Sequence, residues 1–224
     1  MMDELRIPPG IPCFYPVLDT TLLAGMPVDP VEAARAIVDG GARILQFRHK
    51  AHFSRAVFDT ARRIAELCRA AGALFIVNDR ADVAMMLRAG LHVGQDDLAP
   101  ADARRLLRDD ALIGFSTHNE AQLRAAAREP VDYLALGPLF GTATKTDAGP
   151  AVGLEELRRL RRLSAKPLVA IGGITRRNAL AAFDAGADSV AVIGDLLAAC
   201  TCAADIGKRT EEWLQLTGNP ARVS

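Results

Sequence analysis

The chain is 224 residues long and half apolar, with 27 basic and 27 acidic side chains, enough for one sizeable core and no net charge. That balance excludes bulk electrostatic attachment to nucleic acid or to a membrane surface, and no apolar run reaches bilayer length. The opening MMDELRIPPG lacks a basic start followed by an apolar core, and Cys13, Cys68, Cys200 and Cys202 have no framework spacing, so free thiols in a cytoplasmic protein are expected.

Residues 1–12, with Pro8, Pro9 and Pro12, read as a loose arm. Then come strand Phe14–Leu18, helix Pro30–Asp39, strand Arg43–Phe47, helix Arg55–Ala71, strand Leu74–Val77 and helix Ala81–Arg88. Strand Leu91–Val93, helix Pro100–Leu107, strand Ala111–Phe115, helix Glu120–Arg128 and strand Tyr133–Leu136 follow. Helix Leu154–Leu163, strand Leu168–Ala170, helix Arg177–Ala185, strand Ser189–Val192 and helix Ala204–Leu216 complete the series, and the tail from Gly218 reads as frayed. Asp29-Pro30-Val31-Glu32 supplies an N-cap, a Pro at N1 and a capping-box Glu. Gly40-Gly41, Gly72, Gly90 and Gly186 stand where left-handed helix ends are expected.

Strands spaced by helices imply right-handed βαβ units and a parallel sheet. Eight such units close into a (β/α)8 barrel, a single α/β domain of TIM-barrel type spanning 1–224. A doubly wound open sheet needs a phosphate-binding glycine fingerprint after the first strand, and Leu18-Asp19-Thr20-Thr21 offers none. Ala- and Leu-rich helix faces leave room for a homo-oligomer.

In such a barrel, function sits where strands run into βα loops. Strand two ends Gln46-Phe47-Arg48-His49-Lys50, and alternation aims Gln46, Arg48 and Lys50 together at the mouth. Converging cations suit an anionic ligand. Strands three and four end Asn78-Asp79-Arg80 and Gly94-Gln95-Asp96-Asp97. Adjacent strands lie about 4.8 Å apart, so Asp79 and Asp97 can approach each other and hold Mg2+ together with phosphate oxygens. The competing reading makes either aspartate a helix cap. Asp82 is expected to support this loop through Arg80 or a backbone amide.

Strand five ends Ser116-Thr117-His118; Ser116 can exchange a hydrogen bond with a ligand, and His118 reads as a helix-start or pocket histidine. Gly137 to Lys145 holds Thr142, Thr144 and Lys145 in a loop suited to wrapping oxygens. Gly172-Gly173 after strand seven and Ile193-Gly194 after strand eight each open a helix, as in the barrel's recurrent phosphate site. Two anion sites in one mouth suggest a transferase joining two phosphorylated fragments.

These strand ends resemble those of the thiamine phosphate synthase family, in order and register from about Tyr15 to Ile193. The resemblance implies condensation of hydroxymethylpyrimidine diphosphate with hydroxyethylthiazole phosphate, or its carboxylated form, to thiamine phosphate. Diphosphate leaves in an Mg2+-dependent dissociative substitution. Carried over by motif, Gln46, Arg48, Lys50, Asn78, Ser116 and Lys145 hold the pyrimidine diphosphate, with Arg48, Lys50, Ser116 and Lys145 serving catalysis. Asp79 and Asp97 bind Mg2+, and Thr142, Thr144, Gly172, Ile193 and Gly194 hold the thiazole phosphate. Gly194 stands where many members carry Ser, and Pro16 makes the first strand a loose match. Rival readings are a thiazole tautomerase of the same fold, using His118, a non-catalytic phospholigand-binding barrel, and a phosphate-binding barrel from another biosynthesis.

Overall fold

In a computed structural model that describes residues 11–141 and 150–218, eight parallel strands close into a barrel, each paired with the next and β8 with β1. The strands are β1 (Phe14–Asp19), β2 (Ile44–Arg48), β3 (Leu74–Asn78), β4 (Gly90–Val93), β5 (Ile113–Thr117), β6 (Tyr133–Leu136), β7 (Leu168–Ile171) and β8 (Ser189–Val192). Between and after them run α1 (Thr20–Leu23), α2 (Pro30–Asp39), α3 (Arg55–Ala70), α4 (Ala81–Leu87), α5 (Pro100–Leu106), α6 (Glu120–Ala126), α7 (Leu154–Arg161), α8 (Ala179–Asp184), α9 (Gly194–Leu197) and α10 (Ala203–Thr217). The expected (β/α)8 architecture is therefore present.

Alternation along each strand divides the apolar residues into two cores. Phe14, Leu18, Leu45, Phe47, Phe75, Val77, Leu91, Val93, Leu134 and Leu136 face the helices. Tyr15, Val17, Ile44, Ile76, Tyr133, Ala135, Val169 and Ala191 fill the lumen. Ile11 joins the lumen cluster and the Pro12 carbonyl accepts from Ser189 Oγ at 2.7 Å, so the loose arm does not extend to these two residues. Residues 1–10 and 219–224 lie outside the described residues.

Three differences from expectation matter for the mouth. β1, β2 and β3 run on through Asp19, Arg48 and Asn78, and β5 is shifted to include Ser116. Polar groups expected just past strand ends are thus ladder residues with fixed directions. The single-turn helix α1 was not expected, four residues being too short for a helical period; α9 opens at Gly194 as expected, whereas Gly172-Gly173 opens no helix, because α8 starts only at Ala179. Arg88, with φ 53°, rather than Gly90, takes the left-handed position that ends α4. Asp29 caps α2 as expected, accepting from the amides of Val31 and Glu32.

Candidate active site

Lumen-facing positions at the strand ends converge on the barrel mouth. Asp19, at the end of β1, is only 1% exposed. One of its oxygens accepts from the Thr21 and Leu22 amides at 2.9 and 3.1 Å, capping α1, and the other pairs with Arg48. The cation expected to meet a ligand is thus anchored by a buried carboxylate. Lys50, two residues beyond β2, pairs with Asp79.

Asp79 adopts φ 64°, a left-handed conformation that aspartate tolerates better than most residues. Its carboxyl pKa is raised, first by burial and then by the neighbouring Asp97 carboxylate, against the lowering effect of Lys50. Asp97 accepts from the Gly94 amide at 2.7 Å. Neither aspartate is a helix cap: the N-cap positions of α4 and α5 are Arg80 and Ala99. Asp97 lies near enough to raise the Asp79 pKa, and two hard oxygen donors fit Mg2+, which leaves its remaining positions to water and phosphate. Among the described residues no group of three or more His, Cys, Asp and Glu forms a self-sufficient metal cage. Arg80 grips Asp82 through two bonds of 2.8 and 2.5 Å and stacks over Phe53 at 4.6 Å, as the support of this loop.

Asn78 ends β3, and its Nδ2 is buried with no hydrogen-bond partner. An orphaned donor at the mouth calls for an acceptor from a ligand. Ser116 Oγ lies 2.8 Å from His92 Nε2, and Gln95 Nε2 donates to the Ser116 carbonyl at 2.6 Å. His118 is exposed just past the end of β5, its Nδ1–H donating to the Gly137 carbonyl at 2.5 Å.

Behind Ser116 a polar chain crosses the lumen. His92 Nδ1 is 3.0 Å from Tyr133 Oη, which is 2.8 Å from Tyr15 Oη, which accepts from Gln46 Nε2 at 3.0 Å. Gln46 is thus engaged below the mouth as well as facing it. Burial lowers the His92 pKa to about 4 and raises those of both tyrosines. Sequence reasoning missed Tyr15, Tyr133 and His92. The one available signal was that both tyrosines of the chain fall on lumen positions.

On the far side, Gly172 at φ 93° and Gly173 at φ 66° lie against the β6 loop. A Cβ on Gly172 would stand 2.6 Å from the Pro138 Cα. The Leu139 and Phe140 amides donate to the Ile171 and Gly172 carbonyls at 2.8 and 3.0 Å, while Val152 and Gly153 return donors to Pro138 and Leu139 at 2.8 and 3.0 Å. Thr142, Thr144 and Lys145 lie outside the described residues. Ile193 and Gly194 sit at the start of α9, adjoining the β7 loop. Arg176 binds Asp195 Oδ2 at 3.0 Å and pairs with Glu212, and Trp213 Nε1 donates to the same Asp195 oxygen at 3.1 Å. This tie between the β7 loop, α9 and α10 was also unforeseen.

Fold and mouth together define a (β/α)8 barrel whose mouth sets acidic side chains among cations. The family described as thiamine monophosphate synthase matches residues 14–196, and the chain belongs to it. It is 43% identical to thiamine-phosphate synthase of Koribacter versatilis over 92% of this chain and 96% of that one. With thiamine-phosphate synthase of Laribacter hongkongensis it shares 44% identity over the same shares of each chain. Thiamine phosphate pyrophosphorylase from Pyrococcus furiosus superposes with a TM-score of 0.81 at 31% identity, covering 94% of this chain and 96% of that one. These relatives are transferases acting on small molecules. Among the described residues no helix is long and apolar enough to cross a membrane.

Proposed function

We propose that the mouth joins hydroxymethylpyrimidine diphosphate to hydroxyethylthiazole phosphate, releasing diphosphate and forming thiamine phosphate. The observation that carries this reading is the Asp79–Asp97 carboxylate pair, flanked by Lys50 and by the orphaned Asn78 Nδ2. A phosphate cup alone would need no acidic pair.

Gln46 faces the pyrimidine, Ser116 contacts the pyrimidine or its diphosphate, and Arg48, Lys50, Asn78 and Lys145 face the diphosphate. The Arg48 guanidinium, held by Asp19, keeps further N–H groups for phosphate oxygens. Thr142, Thr144, Gly172, Ile193 and Gly194 form the thiazole phosphate cup. Mg2+ held by Asp79 and Asp97 would neutralise charge that builds on the departing diphosphate. Arg48 and Lys50, each held by a carboxylate, stabilise the same charge, and Lys145 adds a third cation. The bond from the pyrimidine methylene carbon to the diphosphate oxygen breaks, the aminopyrimidine ring spreads the resulting cation, and the thiazole nitrogen lone pair forms the new bond. No protein nucleophile is required, and alignment of the two fragments supplies much of the acceleration. We place the enzyme in a reducing cytoplasm, a reading supported by four free thiols.

The test is diphosphate release from the two substrates, with Mg2+ and then with EDTA, on wild type and Asp79→Asn. Release that needs both substrates and metal, and that falls at least a hundredfold in the variant, is expected. A wild-type protein that released none, yet isomerised a thiazole carboxylate phosphate without metal, would replace this reading with the tautomerase.

A further inference from the structure

The hydrogens of the polar chain across the lumen can be assigned one by one. An amide nitrogen only donates, so Tyr15 Oη accepts from Gln46 Nε2. A phenol carries one hydrogen, and Tyr15 gives its own to Tyr133 Oη. Tyr133, having accepted, gives its hydrogen to His92 Nδ1. The ring is then neutral with its hydrogen on Nε2, and Nε2–H donates to Ser116 Oγ. The Ser116 hydrogen is left for the mouth.

We propose that Gln46, Tyr15, Tyr133 and His92 form a one-way hydrogen-bond relay that fills one lone pair of Ser116 Oγ and frees its hydrogen for the mouth, so that the mouth presents a donor there to a lone-pair atom of the ligand. An unprotonated ring nitrogen or a phosphate oxygen can take that hydrogen; an N–H cannot. Tyr15, Tyr133 and His92 are positioning residues acting through Ser116. The relay deepens the pyrimidine diphosphate reading above, and its identification of the ligand atom rests on it.

The fold protects the direction. Tyr15, Tyr133 and His92 are 1%, 0% and 7% exposed, which leaves little room for water to enter and reverse a link. His92, Gly114 and Tyr133 share one register row across β4, β5 and β6. A Cβ on Gly114 would stand 2.0 Å from the Tyr133 Cζ, so its missing side chain is the gap through which the phenol reaches His92. The opposite orientation of the Gln46 amide would reverse every link and turn Ser116 into an acceptor, which makes the relay testable at a distance from the ligand.

The first experiment is long-range proton–nitrogen correlation of the His92 ring in ligand-free protein. The Nε2–H tautomer is expected; the Nδ1–H tautomer overturns the relay whatever the enzyme catalyses. Tyr133→Phe then removes the donor to Nδ1 and keeps the ring. KM for the pyrimidine diphosphate should rise about tenfold with a much smaller change in kcat, a loss of roughly one good hydrogen bond. The same change in a Ser116→Ala background should add nothing, whereas losses that multiply would leave only a packing role and refute the relay. If Tyr133→Phe fails to fold, Tyr15→Phe carries the same cycle. Inorganic diphosphate and hydroxymethylpyrimidine, bound separately to wild type and Ser116→Ala, identify the acceptor: whichever loses affinity supplies it, and no loss for either overturns the proposal. A wild type that shows the Nε2–H tautomer but binds no pyrimidine diphosphate sinks the functional reading and leaves the relay standing.

Discussion

Gly114→Ala puts the tightest packing in the mouth to the test. The new methyl would stand 2.0 Å from Tyr133 Cζ and 2.4 Å from its Cε2 and Oη. Carbon contacts are comfortable at about 3.5–4.0 Å, so the phenol must retreat by roughly 1.5 Å. Tyr133 is wholly buried and bonded on both sides, to Tyr15 at 2.8 Å and His92 at 3.0 Å. Overpacking costs about 1–3 kcal/mol, and a buried hydrogen-bonding group left unpaired about 1–3 kcal/mol more. For a chain of this size a total of about 2–6 kcal/mol lowers Tm by roughly 5–20 °C. Scanning calorimetry, with circular dichroism to confirm the fold, measures it. Tyr133→Leu in the same chain should recover part of the loss, because leucine stops short of the clash. A variant melting within about 2 °C of wild type would refute the reasoning, since it would mean that the barrel yields where the packing says it cannot.

Asp19→Ala should cost about 2–4 kcal/mol in urea unfolding and raise KM for the diphosphate substrate, because it uncaps α1 and leaves Arg48 unanchored; an unchanged KM would detach Arg48 from the site. Gly172→Ala, at φ 93° and 2.6 Å from the Pro138 backbone, should raise KM for the thiazole phosphate at least about tenfold and spare that for the pyrimidine. Equal effects on both would contradict the separation of the two cups. His92 should make stability pH-dependent. Its folded pKa of about 4 lies below the ordinary 6.5, so the unfolded chain binds the proton first on acidification. Stability is therefore full above the ordinary value and falls with pH toward the folded one, by on the order of 3 kcal/mol. Unfolding free energies from pH 4 to 7 for wild type and His92→Gln check this, and parallel curves would contradict it.

The strands were legible because β-branched runs alternate with helical stretches at regular intervals, and period-two alternation correctly sent Gln46 and Arg48 to the lumen side. The acidic pair was legible because it depends on two adjacent strand ends, a local matter once the order is known. The relay was not. Tyr15 and Tyr133 are 118 residues apart, and nothing in either segment announces the other. Gly114 read as an unremarked strand residue because its reason lies on the neighbouring strand. Asp19 carries no local signal for a similar cause: its partner is the Arg48 guanidinium of β2. Long side chains closing networks across a barrel leave no periodic trace in the sequence.

The ladder between β6 and β7 continues past both strands, and the returning Val152 and Gly153 amides fasten the chain back onto Pro138 and Leu139. The segment between is therefore tethered at a fixed base, like a cassette in a socket. Lengthening such a segment adds only about 0.6 kcal/mol of closure entropy per doubling. Changes of length between Phe140 and Val152 are thereby separated from the strand ladder that positions Asp79 and Asp97 on the other side of the barrel.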